Sequence, residues 1–269
     1  MTTLRAHASG AVGILKRDFA IFASYRFRVL TEIGSAVLGV TIFYYISRLV
    51  TGGGFASPDA YFSFAIVGFA VLQVLTAALV VVPFSLRQEL VAGTFERVMV
   101  SPLGPVTALL AMAIFPFLSA LVSATITIVY AALVFGMPMQ WETAPLALPV
   151  VILGGVAFLP FAVLLTSAVF VVKRAGAGGG MLVTALLLVG GVLFPIALLP
   201  DWIEWASNVQ PLTPAADLLR HFVSGSPIDS VSNALVRLAV FAAALLPVSM
   251  LCLRASVRYA QRRGTVLEF

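Results

Sequence analysis

Six long apolar runs, separated by short polar stretches, dominate the pattern of the chain. They cover residues 29–50, 61–82, 107–135, 146–172, 181–199 and 235–253. A helix needs about 20 consecutive apolar residues to cross the hydrocarbon core of a bilayer. The pattern therefore predicts an all-α membrane protein with a bundle of six transmembrane helices over residues 29–253. Pro116 and Pro160 fall inside the third and fourth runs, where we expect a kink or tilt because proline removes a backbone hydrogen bond.

The composition supports a membrane environment. Hydrophobic residues make up 61% of the 269 positions and charged residues 10%, with a mean hydropathy of +1.09. A soluble domain carries about 25% charged residues, so lipid must be the solvent for most of this chain. The net charge of +5 and the pI near 9.8 would suit nucleic-acid binding. The basic residues instead lie at the edges of the apolar runs, which indicates contact with membrane lipid and no nucleic acid.

The distribution of lysine and arginine predicts the orientation. Thirteen of the 16 lie in the N-terminal segment 1–28, in the second-to-third and fourth-to-fifth connections, and in the tail 254–269. Only Arg48, Arg220 and Arg237 lie on the other side. The positive-inside rule then places both termini in the cytoplasm, as an even number of spans requires. The strong excess of arginine over lysine points to a bacterial chain, and therefore to the bacterial plasma (inner) membrane.

Helical segments outside the spans are also predicted. In the N-terminal segment Val12, Leu15, Phe19 and Phe22 recur at spacings of three and four, which predicts an amphipathic helix along the inner membrane interface. The loop between the fifth and sixth runs is predicted to form two short external helices at the outer interface. Their boundaries are marked by Asp201 with Glu204 as a capping box, by Thr213 before Pro214, and by Gly225.

The chain lacks the residues that most catalytic or metal sites need. It has one cysteine, two histidines and two lysines, and neither lysine follows a glycine, so a nucleotide-binding P-loop is excluded. The glycine-rich stretch 176–180 suits a tight turn and close helix packing instead. Glu32 and Arg48 lie inside a predicted span, and an interfacial position is favoured over a functional one for both. We expect no catalytic residue, no metal site and no cofactor bound by this chain.

The connection after the second run carries the most informative polar pattern. Gly93 is expected to end the helix that leaves the membrane, and Thr94 to cap a short new helix with Glu96 near its positive end. Such a charged helix suits docking into a groove of a partner protein, and the alternative is a rigid connector. The residues assigned to this coupling segment are Glu89, Gly93, Thr94, Phe95, Glu96 and Arg97.

The coupling segment, followed by Ser101 and Pro102, resembles the signature of the permease family of type-2 ABC exporters. Phe95 stands where a leucine is common in that family, a change that keeps the apolar character. The stretch from Phe194 to Arg220 is also similar to the late segment of the family. The resemblance extends over essentially the whole chain.

This resemblance implies the membrane-spanning permease subunit of an ATP-driven exporter. Two permease chains, identical or paralogous, would pair in the membrane, and two separate ABC ATPase subunits would bind ATP and magnesium. The family's substrate path lies between the second and fifth spans at the permease interface, where Gln73, Thr76 and Thr184 fall. Interhelical hydrogen bonding is the alternative role for these three residues. The implied substrate is an amphiphile, such as a hydrophobic drug or a lipid-linked glycan, and the alternative function is a membrane scaffold or assembly factor that transports nothing.

Overall fold

The computed structural model describes residues 2–24, 26–49, 55–93, 104–172 and 177–263, and within these ranges the chain is helical without β-strands. A π-helical segment, Ala77–Val81, joins the third helix to the fourth. The α-helices in the described ranges are α1 (Thr2–Ser24), α2 (Arg26–Leu49), α3 (Pro58–Thr76), α4 (Val82–Val91), α5 (Gly104–Phe135), α6 (Ala147–Val172), α7 (Ala177–Val189), α8 (Asp201–Asn208), α9 (Leu212–Ser224) and α10 (Val231–Arg263).

Helices long and apolar enough to cross a membrane occur at five of the six predicted positions in the described part of the chain. A backbone in lipid must satisfy its own hydrogen bonds, which is why apolar runs of this length fold as helices. Pro116 and Pro160 lie inside α5 and α6, and both helices continue through them. The five candidate spans are Leu30–Leu49, Pro58–Val91, Thr107–Phe135, Ala144–Ala168 and Val231–Tyr259.

The predicted end of the fifth span, at residue 199, is wrong because α7 ends at Val189. Its 13 described residues extend only about 20 Å, which is short of the roughly 30 Å core of a bilayer. The helix ends before Gly190 and Gly191. Gly191 has φ +62°, a backbone conformation that residues with a Cβ rarely adopt. A short 3-10 turn, Ile196–Leu198, then leads towards α8.

The second predicted span continues beyond its predicted end at residue 82. Helix α3, the π segment and α4 form one helical stretch of 34 residues, which we call the long helix α3–α4. Pro83 at the start of α4 has no backbone N–H to donate to the preceding turn, and the wider π turn lies directly before it. Polar residues near its end do not terminate the helix, which stops only where Gly93 follows.

The predicted N-terminal helix is present as α1 and lies against α2 and α5. The ring centroid of Phe22 is 5.5 Å from that of Phe115 on α5. Ile14 packs onto a buried cluster at the same end of the bundle. Phe19, by contrast, is 62% exposed, so only part of the predicted apolar stripe contacts the bundle.

Two short helices, α8 and α9, occur between the last two predicted spans. Proline, not the predicted capping box or threonine, holds the cap position of each: Pro200 precedes α8 and Pro211 precedes α9. Gly225 ends α9 at φ +71°, as predicted. These prolines fix a backbone torsion at the helix start without an N–H that needs a partner.

The apolar face of α9 packs against α3, α6 and α10, and the position of the two helices at the outer membrane interface stays a prediction. Leu218 and Leu219 on α9 are 0% and 5% exposed. Their apolar face therefore contacts neighbouring helices instead of lipid. Helix α8 keeps Trp202 and Trp205 largely exposed.

Candidate substrate cavity and coupling segment

A cavity of about 930 Å³ lies between α1, α2, α5 and the long helix α3–α4. Its walls carry polar side chains, among them Gln73, Thr76 and Ser119, together with the aromatic rings of Phe69 and Phe115. The volume falls within the range of small-molecule binding sites. We call this space the inner cavity.

Gln73 both lines the inner cavity and links two helices. Its Nε2 donates a hydrogen bond to Oγ1 of Thr127 on α5 at 2.8 Å. Thr127 in turn donates its hydroxyl hydrogen to the carbonyl of Ser123 at 2.9 Å, so Thr127 can only accept from the amide. This fixes the orientation of the Gln73 amide and leaves Oε1 buried without a hydrogen-bond partner among the described residues.

Thr184 does not join the other two predicted path residues. Gln73 and Thr76 line the inner cavity on the long helix, one turn apart. Thr184 is exposed on α7, and its hydroxyl donates to the carbonyl of Gly180 at 3.0 Å. Within one chain the structure thus brings together two of the three residues.

Glu32 lies in the wall of the inner cavity, and Oγ of Ser119 donates a hydrogen bond to its Oε2 at 3.4 Å. Sequence reasoning favoured an interfacial position for this carboxylate, and the sequence offers no pattern that would have placed it beside α5. Arg48 lies at the other end of α2, where its Nη2 is 2.8 Å from Oδ1 of Asp59. Its guanidinium also stacks 4.7 Å above the ring of Tyr44.

An ion pair joins the N-terminal helix to the start of the coupling segment. Nη1 of Arg17 on α1 lies 3.1 Å from Oε1 of Glu89 on α4, and both residues border the inner cavity. The Arg17 side chain is 42% exposed and that of Glu89 is 20% exposed. Sequence analysis assigned Glu89 to partner docking and missed Arg17, because periodicity along α1 does not reveal which helix lies beside it.

Gly93 ends the long helix in the predicted manner. It has φ +67°, and its N–H donates to the carbonyl of Leu90 at 3.1 Å. A left-handed residue of this kind turns the chain away from the helix axis. The remaining members of the coupling segment lie outside the described residues, and they are Thr94, Phe95, Glu96 and Arg97.

Helix α4 is held against the bundle by a small apolar cluster. Leu86 and Leu90 are 1% and 5% exposed and pack with Leu253 and Val257 of α10. A displacement of α4 would therefore also shift the end of α10 that packs against it.

Arg220 on α9 forms a buried polar contact at the opposite end of the bundle. Its Nη2 donates to the carbonyl of Val192 at 2.9 Å, and Nη1 lies 3.4 Å from Oδ1 of Asp217. The guanidinium also stacks 3.5 Å above the ring of Phe64 on α3. Burial lowers the pKa of Arg220 to about 10, so the side chain stays charged at neutral pH. Sequence analysis did not foresee this burial, although Asp217 three residues earlier was a signal for pairing.

The membrane-length helices and the partly polar cavity between them define a polytopic helical membrane protein. Among the residues described, no three His, Cys, Asp or Glu side chains gather as a metal site would require. The family model described as ABC-2 type transporter matches residues 14–223. The chain therefore belongs to the ABC-2 type transporter family, which confirms the resemblance noted for the coupling segment. The chain is thus a membrane protein of a transporter family.

Curated relatives also match part of the chain. Nodulation protein J of Rhizobium leguminosarum bv. trifolii is 29% identical over 128 residues, which cover 46% of each chain. Nodulation protein J of Rhizobium meliloti (strain 1021) is 28% identical over 92 residues, covering 34% of this chain and 35% of the relative. The chain thus matches less than half of the length of these relatives.

Proposed function

We propose that this chain is the permease subunit of an ATP-driven exporter that moves an amphiphilic substrate out of the cytoplasm or the inner leaflet. The observation that carries the proposal is the course of the long helix α3–α4. One face of this helix lines the inner cavity, and its end carries Glu89 and is followed by Gly93, the first two residues of the coupling segment. A partner that moves the coupling segment would therefore act on the cavity wall without an intermediate element.

The proposed orientation places the termini and the Arg17–Glu89 pair in the cytoplasm of a bacterial plasma membrane. The excess of basic residues at that end supports this orientation. Asp59, Glu142 and Ser226 would then lie outside. In this orientation the inner cavity opens towards the side on which an ATPase would dock.

Pairing of two permease chains is part of the proposal. Met181, Thr184 and Leu188 are exposed at helical spacing on α7, and Met181 and Leu188 are 77% and 51% exposed. A short helix with one uncovered apolar face suits contact with a second chain. The partner would be an identical copy or a paralogue, and two ATPase subunits would supply the sites for ATP and magnesium.

The direct test uses the chain reconstituted in lipid vesicles with and without an ATPase subunit that carries its own P-loop. We expect ATP hydrolysis only in the presence of the partner, together with net movement of an amphiphile. Turnover by the chain alone would contradict the assignment. A complex that forms but moves no amphiphile would favour the scaffold or assembly-factor alternative.

Two variants test the coupling segment itself. Gly93→Val introduces a β-branched residue at a positive φ, and Glu96→Lys reverses a charge that is proposed to dock on the ATPase. We expect both variants to insert normally, to bind the ATPase poorly and to lose transport. Glu142→Lys, the same charge reversal at the other end of the bundle, is the matched control. Normal binding and transport by both variants would exclude the coupling role.

A further inference from the structure

A second cavity, of about 260 Å³, lies between α3, α5, α6 and α9 and is separate from the inner cavity. Val74, Ile128, Val151, Phe158 and Leu219 are among the residues in its wall, and we call it the apolar cavity. We propose that the apolar cavity binds one acyl chain of a membrane phospholipid. The proposal goes beyond the exporter function and does not depend on it, because lipid binding needs neither ATP nor a partner subunit.

The wall of the apolar cavity offers a ligand no free polar group. Among the described residues that line it, Thr125 is the one with a polar side chain, and its Oγ1 donates to the carbonyl of Leu121 at 2.8 Å. A buried water needs two to four polar partners, and a peptide or sugar would bury still more groups without hydrogen bonds. The matching ligand is therefore a hydrocarbon.

The apolar cavity is elongated along the helices that surround it. Its lining residues on α5 run from Leu121 to Val129, about 12 Å along the helix axis. Those on α6 run from Ala147 to Phe158, about 16 Å along the axis. Transmembrane helices are tilted by only about 20° from the bilayer normal, so they run roughly parallel to the lipid tails. An acyl chain can thus enter lengthwise.

The apolar cavity opens sideways through a gap between α5 and α6. Helix α5 packs chiefly on α3 and α6 chiefly on α10, and the ring of Phe117 on α5 lies against Gly155 of α6 at one end of the gap. Thr125 and Leu148 line the cavity and are both exposed. Both lie in helices that are long and apolar enough to cross a membrane, so the gap faces lipid.

A tail enters the apolar cavity for the sake of contacts, since the hydrophobic effect gives no drive between lipid and an equally apolar site. Atoms that face an empty space lack dispersion partners on one side, and a hydrocarbon chain supplies them. The protein leaves this room open at Gly154, where an added Cβ would meet only Ala215, at 3.5 Å.

The test uses the full-length chain in nanodiscs, without an ATPase, and a phospholipid that carries a photoreactive diazirine on one acyl chain. After illumination the labelled residues are located by mass spectrometry. The informative residue is Leu219 on α9, which lines the apolar cavity and is 5% exposed. Ile152 on α6 is 47% exposed outside the cavity and reports the surrounding lipid. A parallel sample contains a photoreactive fatty acid of the same chain length.

We expect the phospholipid to label Leu219 as well as Ile152. Leu238 on α10 is equally buried but does not line the apolar cavity, and it should stay unlabelled. Labelling by the phospholipid supports the proposal whether or not the fatty acid also labels Leu219.

Two variants should abolish labelling at Leu219 and keep it at Ile152. Gly154→Leu fills the apolar cavity, and Thr125→Trp narrows the gap. Thr125 is exposed, so its substitution keeps the test valid if Gly154→Leu folds poorly. Val122→Trp is the matched control, because Val122 is 59% exposed on the same helix outside the cavity, and labelling at Leu219 should persist.

Labelling of Ile152 without Leu219 in the unmodified chain would overturn the proposal. Labelling of Leu219 that persists in both variants would also overturn it, because the tail would then reach α9 by another route. Labelling of Leu219 by the fatty acid but not by the phospholipid would exclude a phospholipid as the occupant. None of these outcomes bears on the exporter function, since the assay contains no ATP, and a failure of ATP-dependent transport would leave the lipid site standing.

Discussion

Gly68 on α3 is the position where one added methyl group should disturb the bundle most directly. A Cβ at this residue would overlap the backbone carbonyl oxygen of Val192. That oxygen cannot easily move away, because it accepts the hydrogen bond from buried Arg220 at 2.9 Å. Val192 itself is 0% exposed, so the segment that follows α7 is closely packed on α3. Gly68→Ala should therefore force the α3 contact apart.

The expected cost follows from the balance of two effects. Overpacking a well-packed interior by one carbon costs about 1–3 kcal/mol when a backbone atom must shift. Replacement of glycine by alanine in a helix stabilises by about 0.5–1 kcal/mol. Since the obstacle is a backbone carbonyl held by a second contact, we expect the steric effect to win. A net destabilisation of about 1–2 kcal/mol results.

Gly34→Ala on α2 is the matched control, because a Cβ there meets no atom within 4 Å. The assay is thermal unfolding of the purified chain in one detergent, with both variants measured beside the unmodified protein. Gly68→Ala should unfold at a lower temperature, whereas Gly34→Ala should be unchanged or slightly more stable. Equal stability of the two variants would refute the packing argument.

A double-mutant cycle tests whether Arg220 is the reason the carbonyl cannot move. Arg220→Met removes the donor to Val192 and should itself destabilise the protein, because a buried carbonyl loses its partner. In the Arg220→Met background the carbonyl can yield to the new methyl group. The two changes should therefore destabilise by less than the sum of the single effects. Additive effects would show that Gly68 and Arg220 act independently.

Two further predictions concern the basic end and the orientation. Arg17→Glu or Glu89→Arg should each impair the coupling of ATP hydrolysis to transport, and the double exchange should restore it. Each single change should alter the free energy of unfolding by only about 0.2–1 kcal/mol, because the pair is partly exposed. Lys16→Glu is the matched control, and failure of the double exchange to restore coupling would exclude the role of the pair. Single cysteines in a Cys252→Ala background should react with a membrane-impermeant thiol reagent on intact cells at three external sites and should not react at two cytoplasmic sites. Reaction at the two cytoplasmic sites would show that the topology is reversed. The reactive sites are Asp59, Glu142 and Ser226, and the protected sites are His7 and Gln261.

Hydropathy was a good guide to the helices because lipid leaves the backbone no alternative. It was a poor guide to their ends. The long helix α3–α4 passes through Arg87 and Glu89, since charged residues are compatible with a helix and only Gly93 ends it. The predicted end of the fifth span was wrong for the opposite reason. Gly190 and Gly191 count as apolar in a hydropathy sum, but helix α7 ends at them.

The candidate site was less predictable, because its key contacts join residues far apart in the chain. Gln73 and Thr76 were assigned because the family resemblance implies a path along the second span, and the structure places both at the inner cavity. The ion pair between Arg17 and Glu89 joins α1 to α4, and no local sequence pattern relates these two helices. Asp217 indicated a pairing for Arg220, but no local pattern indicated its burial, since its shorter hydrogen bond is to the backbone carbonyl of Val192.

The two ends of the long helix α3–α4 are held in different ways, and this affects how a movement passes along it. Near its start, Gly68 is fixed by close packing and by the buried contact of Arg220. Near its end, the contacts are the partly exposed pair of Arg17 and Glu89 and the apolar cluster beneath α4. The π segment Ala77–Val81 lies between the two, and both of its terminal residues line the inner cavity. Because helices bend preferentially at π-bulges, displacement of the coupling segment is expected to bend the helix there, so that the cavity changes shape while the packing around Arg220 is kept.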